Sequence, residues 1–272
     1  MKQSLTGRGG LPRKLSAILL SAAMLVAGLS FAADNSIYID QTGDNATIAV
    51  TQDGTSNVVR GIQGVGSSNA TPAKIIGDGN QVSVTQTGNS NTLSMGINRG
   101  AGTQGNNVTY SVTGNSAAGI INMNNANASG SSAGDNTVGI TQAGNNASAN
   151  LNLVGNSNAI GVITSGGANN AYTSTVAGDS NTQTISLTGG GGNGATVNQT
   201  DSGHTATITS VGATNSYTVN QSGGASGHTT ALDFNGSSNT VNVTQQGTAA
   251  DNIANIKSAG SSNSFTINQN AR

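Results

Sequence analysis

Residues 239–245 read Asn-Thr-Val-Asn-Val-Thr-Gln, so that Val241 and Val243 alternate with polar residues. Alternation with a period of two is typical of a strand with one buried face, whereas an amphipathic helix has a period near 3.6. The β-branched residues Val and Thr also favour strands. The stretch therefore predicts a strand with an inward row of Asn239, Val241, Val243 and Gln245 and a polar outward row.

The same pattern of Asn, two alternating apolar residues and Gln recurs along the chain, and its later copies begin 22 to 24 residues apart. Stacking such strands would place like residues above one another, and stacked Asn and Gln amides can hydrogen-bond along the stack. A buried amide without such partners costs about 1–3 kcal/mol. The amides that we predict to form these structural ladders are Asn35, Gln41, Asn80, Gln86, Asn136, Gln142, Asn193, Gln199, Asn215, Gln221, Asn239, Gln245, Asn263 and Gln269.

A second set of strands lies between these copies and mostly lacks the Gln, as in Asn91, Leu93, Met95 and Ile97. Turns such as Gly-Ser-Ser-Asn at residues 236–239 separate the strands. Glycine permits positive φ, and Asn tolerates the left-handed region, so these stretches have the chemistry of tight turns. Two strands and two turns then make one rung.

The predicted fold class is all-β, a stacked two-sided β-solenoid of roughly 10–11 rungs, because a lone rung cannot bury its apolar face. We expect one domain over residues 33–272, irregular around 64–74, 100–105 and 115–134. The first irregular segment contains Pro72, which has no N–H to donate to a ladder. The second is rich in glycine, and the third shows only weak alternation.

The composition excludes several classes of protein. Charged residues make up 7% of the chain, against about 25% in ordinary globular domains. Forty glycines without a triplet period exclude collagen, and 34% hydrophobic residues are too many for a solvated disordered tail. The chain has no Cys and therefore no disulfide or thiolate metal site.

Residues 1–32 predict a secretory signal peptide. A basic region is followed by an apolar stretch at residues 15–29, and Ser30 and Ala32 are the small residues of a cleavage site after Ala32 or Ala33. The apolar stretch is shorter than the ~20 residues that a membrane-spanning helix needs. We therefore expect a secreted protein, at the cell surface or in the extracellular space, whose mature chain has no membrane span.

The mature chain is weakly acidic. Removal of the signal leaves five Lys and Arg and ten Asp, a net charge near −5. Such a chain has no basic face for nucleic acid and no polybasic patch for anionic lipid.

The repeats resemble the curlin repeats of bacterial curli subunits, which read Ser-x5-Gln-x-Gly-x2-Asn-x-Ala-x3-Gln. Residues 80–91 match the first half of that pattern, with Asn80 in place of Ser, and residues 52–57 match its Gln-x-Gly-x2-Asn core. The resemblance spans most of residues 35–269. The second Gln of the repeat is mostly missing, so the chain is similar to a divergent member of the family.

The resemblance implies a secreted structural protein, a functional amyloid fibre subunit for cell adhesion and biofilm matrix that self-associates end to end. It also implies a nucleating subunit and export of the unfolded chain through an outer-membrane secretion channel. The periodicity alone leaves two alternatives open. One is a β-solenoid surface adhesin that does not polymerise, and the other is an ice-binding protein, suggested by the outward Thr205, Thr207 and Thr209.

We predict no enzymatic activity, cofactor or metal site, because the sequence offers no nucleophile with a base and an orienting group. The calcium-binding solenoid repeat needs Gly-Gly-x-Gly-x-Asp, and residues 189–194 approach it once, with Asn193 in place of Asp. His204 and His228 lie 24 residues apart, each in the place of an Asn before a strand. We interpret them as ladder members on adjacent rungs, with a metal or pH-sensing site as the alternative.

Overall fold

Two parallel β-sheets lie face to face and bury one continuous core between them. The computed structural model describes residues 34–62, 70–98, 105–124, 134–224 and 226–271. This part of the chain contains strands and turns but no helix. The predicted all-β solenoid is therefore confirmed.

The strands are numbered in chain order. They are β1 (Ser36–Ile37), β2 (Ile39–Thr42), β3 (Thr47–Asp53), β4 (Val58–Arg60), β5 (Ala73–Ile76), β6 (Gln81–Thr87), β7 (Thr92–Asn98), β8 (Asn107–Thr113), β9 (Ala118–Asn124), β10 (Thr137–Ala143), β11 (Ser148–Val154), β12 (Ala159–Ser165), β13 (Ala171–Ala177), β14 (Thr182–Gly189), β15 (Gly194–Thr200), β16 (Thr205–Gly212), β17 (Ser216–Ser222), β18 (Thr229–Asn235), β19 (Thr240–Gly247), β20 (Ile253–Ala259) and β21 (Ser264–Ala271).

From β6 onward, successive strands alternate between the two sheets, and each pairs in parallel with the strand two places later in the chain. The first sheet holds β1, β2, β4, β5, β7, β9, β11, β13, β15, β17, β19 and β21, and the second holds β3, β6, β8, β10, β12, β14, β16, β18 and β20. From β10 onward, paired residues lie 22 to 24 positions apart. One turn of the solenoid is therefore one repeat of the sequence.

The buried face of each strand is the one that the alternation predicts. In β19, Val241, Val243 and Gln245 are buried, whereas Thr240 and Asn242 are exposed. The terminal strand β21 has the same register opposite β19, with Phe265 beside Val241. Because a strand presents alternate side chains to opposite faces, a slip of one residue would bury the polar row instead.

The turns depend on glycine where the chain comes closest to the next rung. Gly88 has φ of +110°, and a Cβ built there would lie 2.0 Å from the carbonyl oxygen of Gly114. Two residues later, Ser90 has φ of +61°. The prediction that these turns need positive φ is confirmed, and at Gly88 a side chain is excluded by contact as well as by conformation.

The solenoid has about nine turns rather than the predicted 10–11. Two pairs of short strands share one level each: β1 with β2, and β4 with β5, which align with the two halves of β7. Residues 61–72 separate β4 from β5, and the backbone N–H of Gly61 donates to the carbonyl oxygen of Thr71 (2.7 Å). The strand count overstates the number of levels because each of these two levels holds two short strands.

The predicted irregular segments have different outcomes. In the first segment, residues 63–69 lie outside the described residues; Thr71 and Pro72 belong to no strand, whereas Ala73 and Lys74 belong to β5. Residues 115–124 hold a turn and β9, which pairs with β7 in unbroken register, so the irregularity expected over 115–134 is absent from this part of it. Residues 99–104 and 125–133 lie outside the described residues, as does the predicted signal peptide.

Nowhere in the described part of the chain is there a helix long and apolar enough to cross a membrane.

Candidate functional site: amide ladders and open ends

A ladder of asparagines runs along each sheet at the point where the strands begin. Within a ladder, the side-chain Oδ1 of one asparagine accepts the backbone N–H of the equivalent residue one turn later. Asn193 donates in this way to Asn170, Asn215 to Asn193, and Asn239 to Asn215, at 2.9–3.0 Å. Each asparagine therefore satisfies a backbone donor that precedes the strand and would otherwise be buried without a partner.

The Nδ2 group of each asparagine donates a hydrogen bond to a carbonyl oxygen in a turn. Asn193 Nδ2 donates to the carbonyl oxygen of Gly212 (2.9 Å), and Asn215 Nδ2 donates to that of Gly236 (2.9 Å). These carbonyls belong to the close-packed glycine turns. One buried asparagine thus links the start of a strand to the glycine corner of the next turn of the solenoid.

The predicted ladder residues divide between the two sheets. The first sheet holds Asn35, Gln41, Asn193, Gln199, Asn215, Gln221, Asn239, Gln245, Asn263 and Gln269, and the second holds Asn80, Gln86, Asn136 and Gln142. The division arises because the 45 residues from Asn35 to Asn80 cover one and a half turns and the insertion, not two whole turns. Successive copies of the motif in the sequence therefore do not all lie in the same sheet.

An unbroken glutamine ladder occupies the last four levels of the first sheet. Gln199 Nε2 donates to Gln221 Oε1, Gln221 to Gln245, and Gln245 to Gln269, at 2.8–2.9 Å. Each of these glutamines also donates to a carbonyl oxygen of the second sheet, as Gln245 does to Thr229 (3.0 Å). The ladder therefore ties the two sheets together as well as successive turns.

Two predicted glutamines have no glutamine neighbour in their own sheet. Gln142 lies between Val112 and Thr164; Tyr110 donates to its Oε1 (2.6 Å), while its buried Nε2 has no hydrogen-bond partner. Gln41 lies beside Ile75 in the first level and donates to the carbonyl oxygen of its own turn at Gly43 (2.7 Å). The glutamine ladder is thus a feature of the C-terminal half and of one step between Gln52 and Gln86 (2.7 Å).

His204 and His228 are members of the asparagine ladder of the second sheet. His204 donates its backbone N–H to Asn181 Oδ1 (2.9 Å), and its own Nδ1 accepts the backbone N–H of His228 (2.9 Å). The rings stack with 5.2 Å between centroids. His204 Nε2 lies 2.8 Å from the carbonyl oxygen of Thr200. Because Nδ1 accepts, the neutral ring carries its proton on Nε2, so the imidazole reproduces the acceptor and the donor of asparagine.

Several ladder members escaped the sequence analysis. They are buried asparagines and a glutamine that lack one half of the motif, namely Asn57, Asn106, Asn170 and Gln183. The sequence indicated these residues only by their position two residues before an alternating pair, which is a weaker pattern than the complete motif. A second ladder also runs along the turns: Asn115 Oδ1 accepts the N–H of Asn89 (2.8 Å), and Asn145 Oδ1 accepts that of Asn115 (2.9 Å).

The tyrosines complete the polar network of the core. Tyr172 donates to Gln183 Oε1 (2.6 Å), and Tyr217 donates to Ser210 Oγ (2.9 Å). Burial raises the pKa of both hydroxyls, so they remain neutral donors at physiological pH.

Both ends of the solenoid expose a sheet edge within the described residues. At the C-terminal end, β21 pairs with β19 and β20 pairs with β18; at the N-terminal end, β1, β2 and β3 pair with β4, β5 and β6. The backbone N–H of Thr240 donates to the carbonyl oxygen of Asn263 (2.8 Å), so the inward residues of β21 point their backbone groups back along the solenoid. The outward residues, including Thr266 and Asn268, direct their N–H and C=O groups towards the open edge.

Within the residues that the structure covers, no three His, Asp or Glu side chains come together as a set of metal ligands. Comparison with protein families, with curated proteins and with solved structures found no match. The candidate site is the set of asparagine and glutamine ladders together with the sheet edges at which they stop.

Proposed function

We propose that this chain is a structural subunit of an extracellular, curli-like amyloid fibre that grows as copies stack end to end. The observation that carries the proposal is the edge of β21, which repeats the inward row Asn263, Phe265, Ile267 and Gln269 and has β19 as its one strand neighbour in the described chain. Exposed edges of this kind accept a further strand through their unpaired backbone groups.

In the described residues, this edge shows none of the features with which β-proteins usually block association. Those features are prolines, inward-pointing charges, bulges and covering helices. Residues 264–271 contain no proline and no charged residue, and all eight pair in unbroken register with β19. The edge is a regular template for one more strand.

The remaining parts of the proposal rest on the curlin resemblance and the predicted signal peptide. They are export of the unfolded chain through an outer-membrane channel, a nucleating subunit, and roles in cell adhesion and biofilm matrix. A fibre subunit of this kind acts through its shape and its surface, and we propose no enzymatic activity or cofactor for it.

The proposal is tested with the mature chain, residues 33–272, diluted from denaturant at tens of micromolar. We expect polymerisation after a lag, binding of amyloid dyes, and loss of the lag when sonicated fibres are added as seeds. A chain that folds by circular dichroism yet sediments as a monomer for days would refute the fibre function.

One observation favours a second candidate, a surface adhesin that does not polymerise. The outward residues of the first sheet also stack in register, with Thr196 beside Thr218 and Asn198 beside Asn220, and Asn198 Nδ2 donates to Asn220 Oδ1 (2.9 Å). A flat, ordered polar face suits binding to an extended surface. In the same experiment the adhesin would stay monomeric, and it would retain its binding to cells or to ice.

A further inference from the structure

The two sheets of the solenoid differ by one level. Among the twelve strands of the first sheet two pairs share a level, so this sheet has ten levels, and the second sheet has nine. The described strands therefore begin and end in the first sheet, with β1 and β2 at one end and β21 at the other. A second copy stacked in the same orientation would set β1 on β21 and leave a gap of one strand between β20 and β3.

We propose, building on the fibre function, that each copy in the fibre is rotated by half a turn about the fibre axis relative to the copy before it. In this arrangement β1 and β2 of the next copy pair with β20, and its β3 pairs with β21. Because each strand is followed by a turn into the other sheet, the chain runs in opposite directions in the two sheets. The rotation exchanges the sheets together with their directions, so every new pair is parallel and no strand is missing.

One register fits both sheets at once. Residues 35–53 align with residues 252–270 without a gap, and both segments begin with Asn. Residues 43–46 join β2 to β3, and the equally long segment of residues 260–263 joins β20 to β21; each of these turns begins with Gly. The pairing of β2 with β20 and that of β3 with β21 therefore require the same offset between the two copies.

The glutamine ladder continues through the junction in this register. Gln269 Nε2 donates to the carbonyl oxygen of Ile253 (3.1 Å). With β3 on β21, the second N–H of Gln269 is directed to Oε1 of Gln52 in the next copy, as that of Gln245 is directed to Gln269 (2.8 Å). Gln52 Nε2 in turn donates to Gln86 Oε1 (2.7 Å). The ladder of one copy thus joins the separate glutamine step at the start of the next.

The charged side chains favour the same register. Lys257 lies beside Asp233 in the second sheet, with 3.0 Å between Nζ and Oδ2. Asp40 lies beside Lys74 in the first sheet. With β2 on β20, Asp40 falls beside Lys257, so opposite charges alternate in one column that reads Asp233, Lys257, Asp40 and Lys74. Because these side chains are exposed, the column selects the register more than it strengthens the contact.

The backbone groups give the contact a direction. The N–H of Thr47 donates to the carbonyl oxygen of Asn80 (2.8 Å), so the outward residues of β3 bond within their own copy. The inward residues of β3 therefore direct their N–H and C=O groups towards the open edge. There the N–H of Thr266 in β21 meets the carbonyl oxygen of Ile48. Such a contact between unlike ends leaves a free edge after each addition, which produces an open filament.

The contact also covers the ends of the apolar core. Within the described residues, the apolar side chains that pack against the core but are only partly buried are Ile39, Ile48, Val50, Phe265 and Ile267. All five lie in the first or last strands of the two sheets. In the proposed register Ile48 falls on Phe265 and Val50 falls on Ile267, so association removes apolar surface of both copies from water.

The chain has no Cys, which allows the arrangement to be read by cross-linking. One variant carries D40C and K257C, and a second carries T51C and N268C, all at exposed positions. The proposal places the two members of each pair about 5 Å apart in successive copies, whereas within one copy they lie at opposite ends of the solenoid. The matched control carries D40C and N268C. These two positions are neighbours if successive copies keep the same orientation, but the half-turn rotation places them on opposite outer faces, more than about 10 Å apart. Fibres are treated with a short thiol cross-linker, dissolved, and resolved by size.

We expect a series of covalent oligomers from D40C/K257C and from T51C/N268C, and mostly monomers from D40C/N268C and from each single variant. T51C/N268C leaves the charged column intact, so it decides the result if D40C/K257C fails to assemble. Oligomers from D40C/N268C or from a single variant, or monomers from T51C/N268C, in fibres that still bind amyloid dyes, would overturn the half-turn rotation while leaving the fibre function standing. Absence of fibres from the parent chain would overturn both.

Discussion

His228 donates its backbone N–H to Nδ1 of His204 at 2.9 Å, and the two imidazoles stack in the core of the second sheet. The same relationship continues one turn further, where Asn252 donates to Nδ1 of His228 (3.0 Å). A protonated imidazole has donors on both nitrogens and no acceptor. Each of these two ladder steps therefore requires a neutral ring.

This relationship predicts a solenoid that weakens in mild acid. Burial lowers the pKa of His204, an effect to which the neighbouring His228 adds and which the Thr200 carbonyl and the Asp201 and Asp251 carboxylates partly offset. Below a pH of about 6.5 the unfolded chain binds more protons than the folded one, so the free energy of unfolding falls, by about 1.4 kcal/mol for each unit by which the folded pKa is lowered.

The measurement is denaturant unfolding of parent and variant between pH 7.5 and 5. The control variant is H204N/H228N, which restores the asparagine of the other levels and cannot take up a proton there. We expect its stability to change less than that of the parent over this range. Equal slopes for the two proteins would show that His204 takes up a proton as readily in the folded chain as in the unfolded chain, which would contradict the prediction.

The burial alternation in β19 predicts opposite effects of one substitution at neighbouring positions. Val243 is fully buried and Asn242 is exposed. Val243→Asp places a carboxylate in the apolar strip and should cost several kcal/mol or prevent folding, whereas Asn242→Asp should change the stability by less than about 0.5 kcal/mol. Circular dichroism and denaturant unfolding compare them, and similar losses would contradict the register.

The glutamine ladder predicts slower growth for Gln245→Leu. Gln245 Oε1 accepts from Gln221 (2.9 Å) and from Thr230 (2.8 Å). The substitution breaks the ladder at this step and leaves the buried Thr230 hydroxyl without this acceptor, at about 1–3 kcal/mol, whereas Gln221 Nε2 keeps the carbonyl oxygens of Thr205 and His228. The adjacent Gln246 is exposed, and Gln246→Leu is the matched control. The measurement is the rate at which each variant elongates seeds of the parent protein. Equal rates for the two variants would show that the glutamine ladder does not contribute to fibre growth.

The edge of β21 predicts that prolines at outward positions stop growth without unfolding the chain. Thr266→Pro with Asn268→Pro removes two edge donors, worth roughly 1 kcal/mol each, and proline is tolerated at a sheet edge. The control, T266A/N268A, keeps both N–H groups. We expect parent-like circular dichroism from both variants and at least about tenfold slower extension of the proline variant. Growth of the proline variant at the parent rate would mean that copies do not add through β21.

Glycine at the corners predicts a contrast between two alanine substitutions. At Gly88 a Cβ would meet the Gly114 carbonyl oxygen at 2.0 Å, with φ at +110°, whereas at Gly139 in β10 nothing lies within 4 Å of it. Gly88→Ala should destabilise the chain by several times the change caused by Gly139→Ala, which should be within about 1 kcal/mol of the parent. Thermal unfolding of both variants provides the measurement.

The sequence allowed the strands and their buried faces to be predicted because both depend on local alternation, as at Val241 and Val243. It did not reveal on which sheet a given strand lies. That assignment depends on the number of strands between two motifs, and the extra residues between β4 and β5 give the 45 residues from Asn35 to Asn80 the length of two whole turns although they cover one and a half. Gln142 has no glutamine neighbour in its sheet because the pairing of β10 with β8 and β12 sets it between Val112 and Thr164. This pairing, too, is not visible in the residues around Gln142.

Residues 61–72 connect β4 with β5, which share a single level, and the backbone N–H of Gly61 donates to the carbonyl oxygen of Thr71 between the two ends of this segment. Because β4 and β5 each align with β7, we expect that the segment can be lengthened without moving the paired strands. A foreign peptide or a small domain inserted between Ile62 and Ala70 would then be attached at one point of each subunit. In a fibre that adds copies end to end, such an insert would recur once per copy, so this segment is suited to displaying enzymes or epitopes at a regular spacing.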